Sequence, residues 1–173
     1  MGKISPYEIR IERIKSHHDL LSFSSSNLDL QTFLREDAFH HQGQNISVTF
    51  LWFYDHYLIS YITLLTDRLT LDADLKVFFK SKGIHYNTLP ALKIGRLCVA
   101  DQFQKMGIGR LMVQDAITIG ERIGGTLAGC RFLTVDAKEN SILFYKKLGF
   151  NILKETNNKV TPMLLDLKLS LHD

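Results

Sequence analysis

Residues 92–109 read Leu92-Lys93-Ile94-Gly95-Arg96-Leu97-Cys98-Val99-Ala100-Asp101-Gln102-Phe103-Gln104-Lys105-Met106-Gly107-Ile108-Gly109. The apolar run Leu89–Ala100 predicts a strand. Gly107–Gly124 predicts the strongest helix of the chain, with Ile108, Leu111, Met112, Ala116, Ile119 and Ile123 on one face. A strand therefore leads through a short loop into a helix start that carries two glycines. The first N–H groups of a helix have no partner in their own helix and carry partial positive charge, so they bind phosphate oxygens well. Glycine lets such an anion approach the backbone closely, and Lys105 and Arg110 flank the loop with positive charge. An ordinary β–α turn is also rich in glycine, and both readings stand on these residues alone. Two other glycine motifs fail: no G-x-x-x-x-G-K-[ST] run exists, and Gly107 and Gly109 are followed by Met112 where a dinucleotide fingerprint needs glycine.

Outward from this stretch, Gly95-Arg96 inside the strand predicts a bulge. Upstream, Tyr7–Lys15 alternates as a strand. Asn27–Gln42 reads as a helix, with Leu30, Phe33, Leu34 and Ala38 at helical spacing and Asn27 or Asp29 as cap. Ser47–Tyr54 and Tyr57–Thr66 read as strands joined by a tight turn at Asp55-His56. Asp67–Asn87 is ambiguous, with Leu75, Phe78 and Phe79 suggesting a short helix before Gly83. Downstream, Arg131–Ala137 reads as a strand and Asn140–Leu148 as a helix stopped by Gly149. Phe150–Leu153 and Met163–Leu171 form a final antiparallel pair. The order is that of one mixed α/β domain over residues 1–173.

Composition narrows the class. The chain has 173 residues, 45% hydrophobic and 23% charged, with a formal net charge of +3. Those values fit a globular domain large enough for its own core, and the charge favours anionic ligands only mildly. The two cysteines, Cys98 and Cys130, belong to no C-x-x-C pair and read as reduced core residues. His17-His18 and His40-His41 lack a third ligand at metal spacing, so no metal site is expected. No apolar stretch has the length of a signal peptide core or a membrane span, so a cytoplasmic protein without membrane contact is expected.

Gln104-Lys-Met-Gly107-Ile-Gly109 resembles the Gln/Arg-x-x-Gly-x-Gly/Ala pyrophosphate loop of the GNAT superfamily of N-acetyltransferases. Val135-Asp-Ala-Lys-Glu-Asn140-Ser-Ile-Leu-Phe144-Tyr145-Lys-Lys-Leu-Gly149-Phe150 is similar to that family's later strand and its Asn-x-x-x-Phe-Tyr-x-x-x-Gly-Phe helix. The two blocks have the family's order and separation. Phe23-Ser-Ser-Ser-Asn-Leu28-Asp-Leu-Gln-Thr-Phe33-Leu34-Arg-Glu-Asp-Ala38 resembles the opening helix of a branch that contains toxin acetyltransferases of toxin–antitoxin pairs, which acetylate aminoacyl-tRNA. Relatives in that branch with other amine acceptors share these residues.

The resemblance implies a mostly antiparallel sheet with a splayed cofactor strand, flanked by helices. It implies acetyl-CoA as cofactor and transfer of its acetyl group directly to a primary amine on a small molecule, a protein or an aminoacyl-tRNA. A non-catalytic acyl-CoA-binding module is the alternative outside enzymology. An antitoxin partner follows if the toxin branch applies, and relatives are often homodimers. The cofactor is expected on Gln104, Lys105, Met106, Gly107, Ile108, Gly109 and Arg110, on backbone N–H groups of Leu97, Cys98 and Val99, and at Asn140, which otherwise caps its helix. On the family reading the bulge at Gly95-Arg96 opens the strand for the pantetheine arm. Tyr145 takes the role of the acid that protonates the leaving thiolate. A phenol of ordinary pKa, about 10, lies close enough to a thiol to do so. Asp136, Glu139, Asp37 and the histidines are general-base candidates by residue type alone, and the sequence singles out none of them.

Overall fold

The computed structural model describes residues 4–154 and 159–168. They form two compact units, one from the described residues of 4–65 and 94–115, the other from those of 66–93 and 116–168. Strands β3 (Tyr57–Thr70) and β4 (Thr88–Val99) and helix α4 (Ile108–Arg122) run from one unit into the other.

In the first unit β1 (Ile9–Arg13) pairs antiparallel with β2 (Val48–Tyr54), and β2 pairs antiparallel with β3. The strand order is β1-β2-β3-β4. Asp55 takes φ 55° in the predicted turn, which the two-residue connection between Tyr54 and Tyr57 requires. The register shifts between Trp52 and Phe53, an irregularity that the alternation of side chains does not announce. A Cβ on Gly95 would lie 2.7 Å from Leu65 Cδ2, so that side chain would have to move. The predicted helix 27–42 is present as α1 (Leu28–Thr32), a wider π turn (Phe33–Asp37) and α2 (Ala38–Gly43). Asn27 is the cap, accepting from Leu30 N at 3.3 Å. Just before the widened turn, the Tyr61 hydroxyl donates to Leu30 O at 2.6 Å, a side-chain intrusion of the kind that perturbs a helical ladder. Phe23, Leu34, Leu51, Ile59, Tyr61, Met112 and Val113 are fully buried and make up the core of this unit.

In the second unit the order is β4-β5-β7-β6. β5 (Phe132–Lys138) and β6 (Asn151–Ile152) each pair antiparallel with β7 (Val160–Asp166). Residues 169–171 of the predicted last strand lie outside the described residues. The ambiguous stretch 67–87 resolves into the end of β3 and α3 (Ala73–Ser81), capped by Asp72 accepting from Leu75 N at 2.9 Å and stopped at Gly83, φ 74°. Phe79 and Phe132 meet edge to face in a core that includes Leu69, Leu71, Leu89 and Leu164. After α4 the helix widens into a π turn (Ile123–Leu127). Gly124 sits against the backbone there: a Cβ would be 2.8 Å from Cys130 O. A 3-10 turn (Glu139–Ser141) and α5 (Ile142–Lys146) follow β5, and Gly149 takes φ 89° where the helix was predicted to stop. Among the described residues no helix is long and apolar enough to cross a membrane.

Candidate cofactor loop and acid residue

In the first unit the segment between β4 and α4 has an unusual backbone. Lys105 has φ 62° and Gly107 φ 86°, with Met106 between them outside the left-handed region. Such alternation turns successive N–H groups toward one side, the pattern of an anion-binding nest. Gly107 O accepts from Arg110 N (3.1 Å) and Leu111 N (3.2 Å), so Gly107 stands at the helix start. A Cβ built on Gly107 meets nothing within 4 Å. The glycine therefore serves the left-handed backbone and leaves space above the loop free, as a diphosphate needs. Lys105 and Arg110 are exposed, with their charge available to an anion. Ile108 is 1% exposed, so only its backbone is offered.

The neighbouring groups are sorted by the fold. Cys98 is buried and its Sγ donates to Ser25 Oγ at 3.3 Å; burial pushes its thiol pKa up. Its side chain is core, and any contact with a ligand belongs to its backbone, as for the half-buried Leu97 and Val99. The Gln104 amide donates to Val99 O (3.3 Å) and Asp101 Oδ1 (2.9 Å). It braces the loop against the end of β4. Asp101, absent from the sequence reading, also receives Ser26 N at 2.7 Å across 75 residues of chain. No motif in the sequence links the two.

In the second unit Tyr145 lies on α5, 6% exposed, edge to face with Phe144 (5.0 Å) and Phe150 (5.3 Å). Burial pushes its hydroxyl up to about 12. Against a thiol near the ordinary value, about 8.5, full proton transfer from such a phenol is uphill by roughly 5 kcal/mol. Burial therefore favours the neutral phenol, which keeps its hydroxyl hydrogen at neutral pH. Asn140 does not cap α5; Ser141 holds that position, and Asn140 Oδ1 accepts from Ser141 Oγ at 3.2 Å. Asp136 Oδ2 is paired with Lys93 Nζ at 2.7 Å. A cavity of about 470 Å³, lined in part by Phe79, Leu89, Pro90, Cys130 and Arg131, contains none of the predicted site residues.

Glu12 does join His17 and His18 in the first unit, which the sequence reading missed; their ligand atoms lie within 4.8 Å of one another. Two of its members, His18 and Glu12, also have protein partners. His18 Nδ1 accepts from Lys15 N at 2.9 Å, and its Nε2 lies 3.1 Å from Glu12 Oε2. Burial, followed by the charges of Lys15 and Arg10, lowers the His18 pKa. Glu12 is also paired with Arg10.

Residues 71–152 match the family described as acetyltransferase (GNAT) domain, a span that contains both motif blocks. The structure is similar to AtaT complexed with acetyl-methionyl-tRNAfMet, with a TM-score of 0.81 and 23% identity over 94% of this chain and 97% of that one. It is similar to a tyrosine-to-phenylalanine mutant of KacT, with a TM-score of 0.80 and 22% identity over 94% and 96%. It is also similar to AtaTR bound with AcCoA, with a TM-score of 0.75 and 21% identity over 94% and 96%. At these identities the likeness establishes the fold. No curated protein matches the sequence. Residues 71–152 thus match an acetyltransferase (GNAT) domain, and the chain has the mixed α/β fold of these solved structures.

Proposed function

We propose that residues 1–173 act as one N-acetyltransferase unit whose acceptor is the amino group of an aminoacyl-tRNA. The observation that carries the transferase reading is the loop Gln104–Gly109: two left-handed residues at a helix start, with open space above Gly107. Acetyl-CoA supplies an activated thioester. Gln104, Lys105, Met106, Gly107, Ile108, Gly109 and Arg110 hold its diphosphate, mostly through backbone N–H groups. Backbone groups of Leu97, Cys98 and Val99 bind the pantetheine arm or the developing oxyanion. Asn140 is exposed and free of a capping duty, which suits a cofactor contact. Tyr145 donates its hydroxyl hydrogen to the departing sulfur.

The choice of tRNA over other amines rests on the AtaT complex, which holds acetyl-methionyl-tRNAfMet, and on the Phe23–Ala38 resemblance. A toxin role brings an antitoxin partner, as in the complex of AtaT with AtaR, and a cytoplasmic setting where aminoacyl-tRNA and acetyl-CoA coexist. A homodimer is the assembly proposed, to be read from light scattering. The test offers acetyl-CoA with a panel of aminoacyl-tRNAs, polyamines and peptides, and follows acetylated product by mass spectrometry. Acetylation of polyamine or peptide amines without any aminoacyl-tRNA product would move the acceptor elsewhere. No stabilisation by millimolar CoA in a folded sample would sink the transferase reading.

A further inference from the structure

Asp101 makes more contacts than its exposed position suggests. Its backbone N–H donates to Ser24 O at 3.2 Å. Its carboxylate accepts from Ser26 N (2.7 Å), Ser26 Oγ (3.3 Å) and Gln104 Nε2 (2.9 Å). Ser25, beside it, donates its N–H to Gln31 Oε1 at 2.9 Å, while its Oγ accepts from Asn27 N at 3.2 Å and from Cys98 Sγ at 3.3 Å. Asn27 caps α1. Hydrogen bonds thus tie the loop through Asp101 to Ser24 and Ser26, and the adjoining residues Ser25 and Asn27 carry bonds of their own to the start of α1, all within the first unit.

A carboxylate beside a diphosphate site is electrostatically the wrong charge, and alone it would weaken anion binding. Its position therefore needs a geometric reason, and the short charge-assisted bond to Ser26 N supplies one. We infer that Asp101 is a positioning residue: it fastens the anion loop to the Ser24–Asn27 segment, so that filling the loop with a diphosphate and ordering the start of α1 are coupled. The inference rests on the acetyl-CoA reading of the loop and extends it to a residue outside the motif.

The substitution Asp101→Asn separates the two effects by sign. It keeps size and deletes the like charge, so simple electrostatics demands tighter CoA binding. Loss of positioning demands weaker binding, by about tenfold, a typical coupling between linked sites. Calorimetric titration with CoA reads the sign directly. Hydrogen exchange supplies a second readout that a general loss of stability does not mimic. In the wild type CoA protects residues 24–31 together with 104–111; in Asp101→Asn protection stays confined to the loop. If that variant does not fold, Ser26→Ala keeps the charge and removes one donor, and a smaller loss in the same direction is expected. Absence of CoA binding in the wild type overturns the transferase reading itself. Wild-type CoA binding with equal or tighter binding in Asp101→Asn, or protection that never reaches residues 24–31, overturns the positioning role alone.

Discussion

Replacing Gly107 by alanine tests the loop with a magnitude that the structure sets. Gly107 has φ 86°, where a residue with a Cβ pays about 1–2 kcal/mol. A Cβ there meets no atom within 4 Å, so no packing gain or clash is added. The expected loss is that backbone cost alone, a drop in unliganded Tm of roughly 2–8 °C for a chain of this size. The second effect is on the ligand: the new methyl group occupies the open space above the loop and keeps a diphosphate from its N–H groups. CoA should then give little of its wild-type thermal shift. Gly125→Ala is the control, since its Cβ also meets nothing within 4 Å and its φ is not left-handed. Gly125 lies in a helical turn, so alanine there should be neutral or slightly stabilising, with the CoA shift intact. Differential scanning fluorimetry with and without CoA reads both quantities. A Gly107→Ala protein with wild-type Tm would refute the strain argument, and one with a full CoA shift would refute the anion loop.

Three further outcomes are expected. Tyr145→Phe keeps the ring contacts with Phe144 and Phe150; CoA binding should be unchanged while the single-turnover rate falls about 10²-fold, and a wild-type rate would remove Tyr145 from the chemistry. The raised Tyr145 pKa, about 12 against 10.0, means that the folded state holds this proton longer than the unfolded chain. Its contribution to stability is fully present below pH 10 and is lost between pH 10 and 12, at up to about 1.4 kcal/mol per pH unit; urea midpoints should fall less steeply across that window in Tyr145→Phe, and parallel curves would refute the assignment. Burial raises the pKa of Cys98 and of Cys130, so activity should not respond to reductant and the native protein should react slowly with thiol reagents at neutral pH.

The amphipathic spacing of Ile108, Leu111 and Met112 predicted α4, and Gly149 predicted the end of α5, because both signals lie within one or two turns of chain. The tight turn at Asp55-His56 and the cap at Asn27 were legible for the same reason. The turn between β4 and α4 was legible as a glycine pattern, and its reading as a diphosphate loop came from the resemblance of two separated blocks. The π turn at Phe33–Asp37 was not legible, since the hydroxyl of Tyr61, which donates to Leu30 O beside that turn, comes from another strand. Asp101 joined Ser26, Asp136 joined Lys93, and Glu12 joined His18 only once the chain had folded. The acidity of Tyr145 depends on how much water its hydroxyl loses, a property of packing that no local pattern encodes. Local periodicity thus determined the elements and the loop, while tertiary structure decided which polar groups are free to act and which are already bonded.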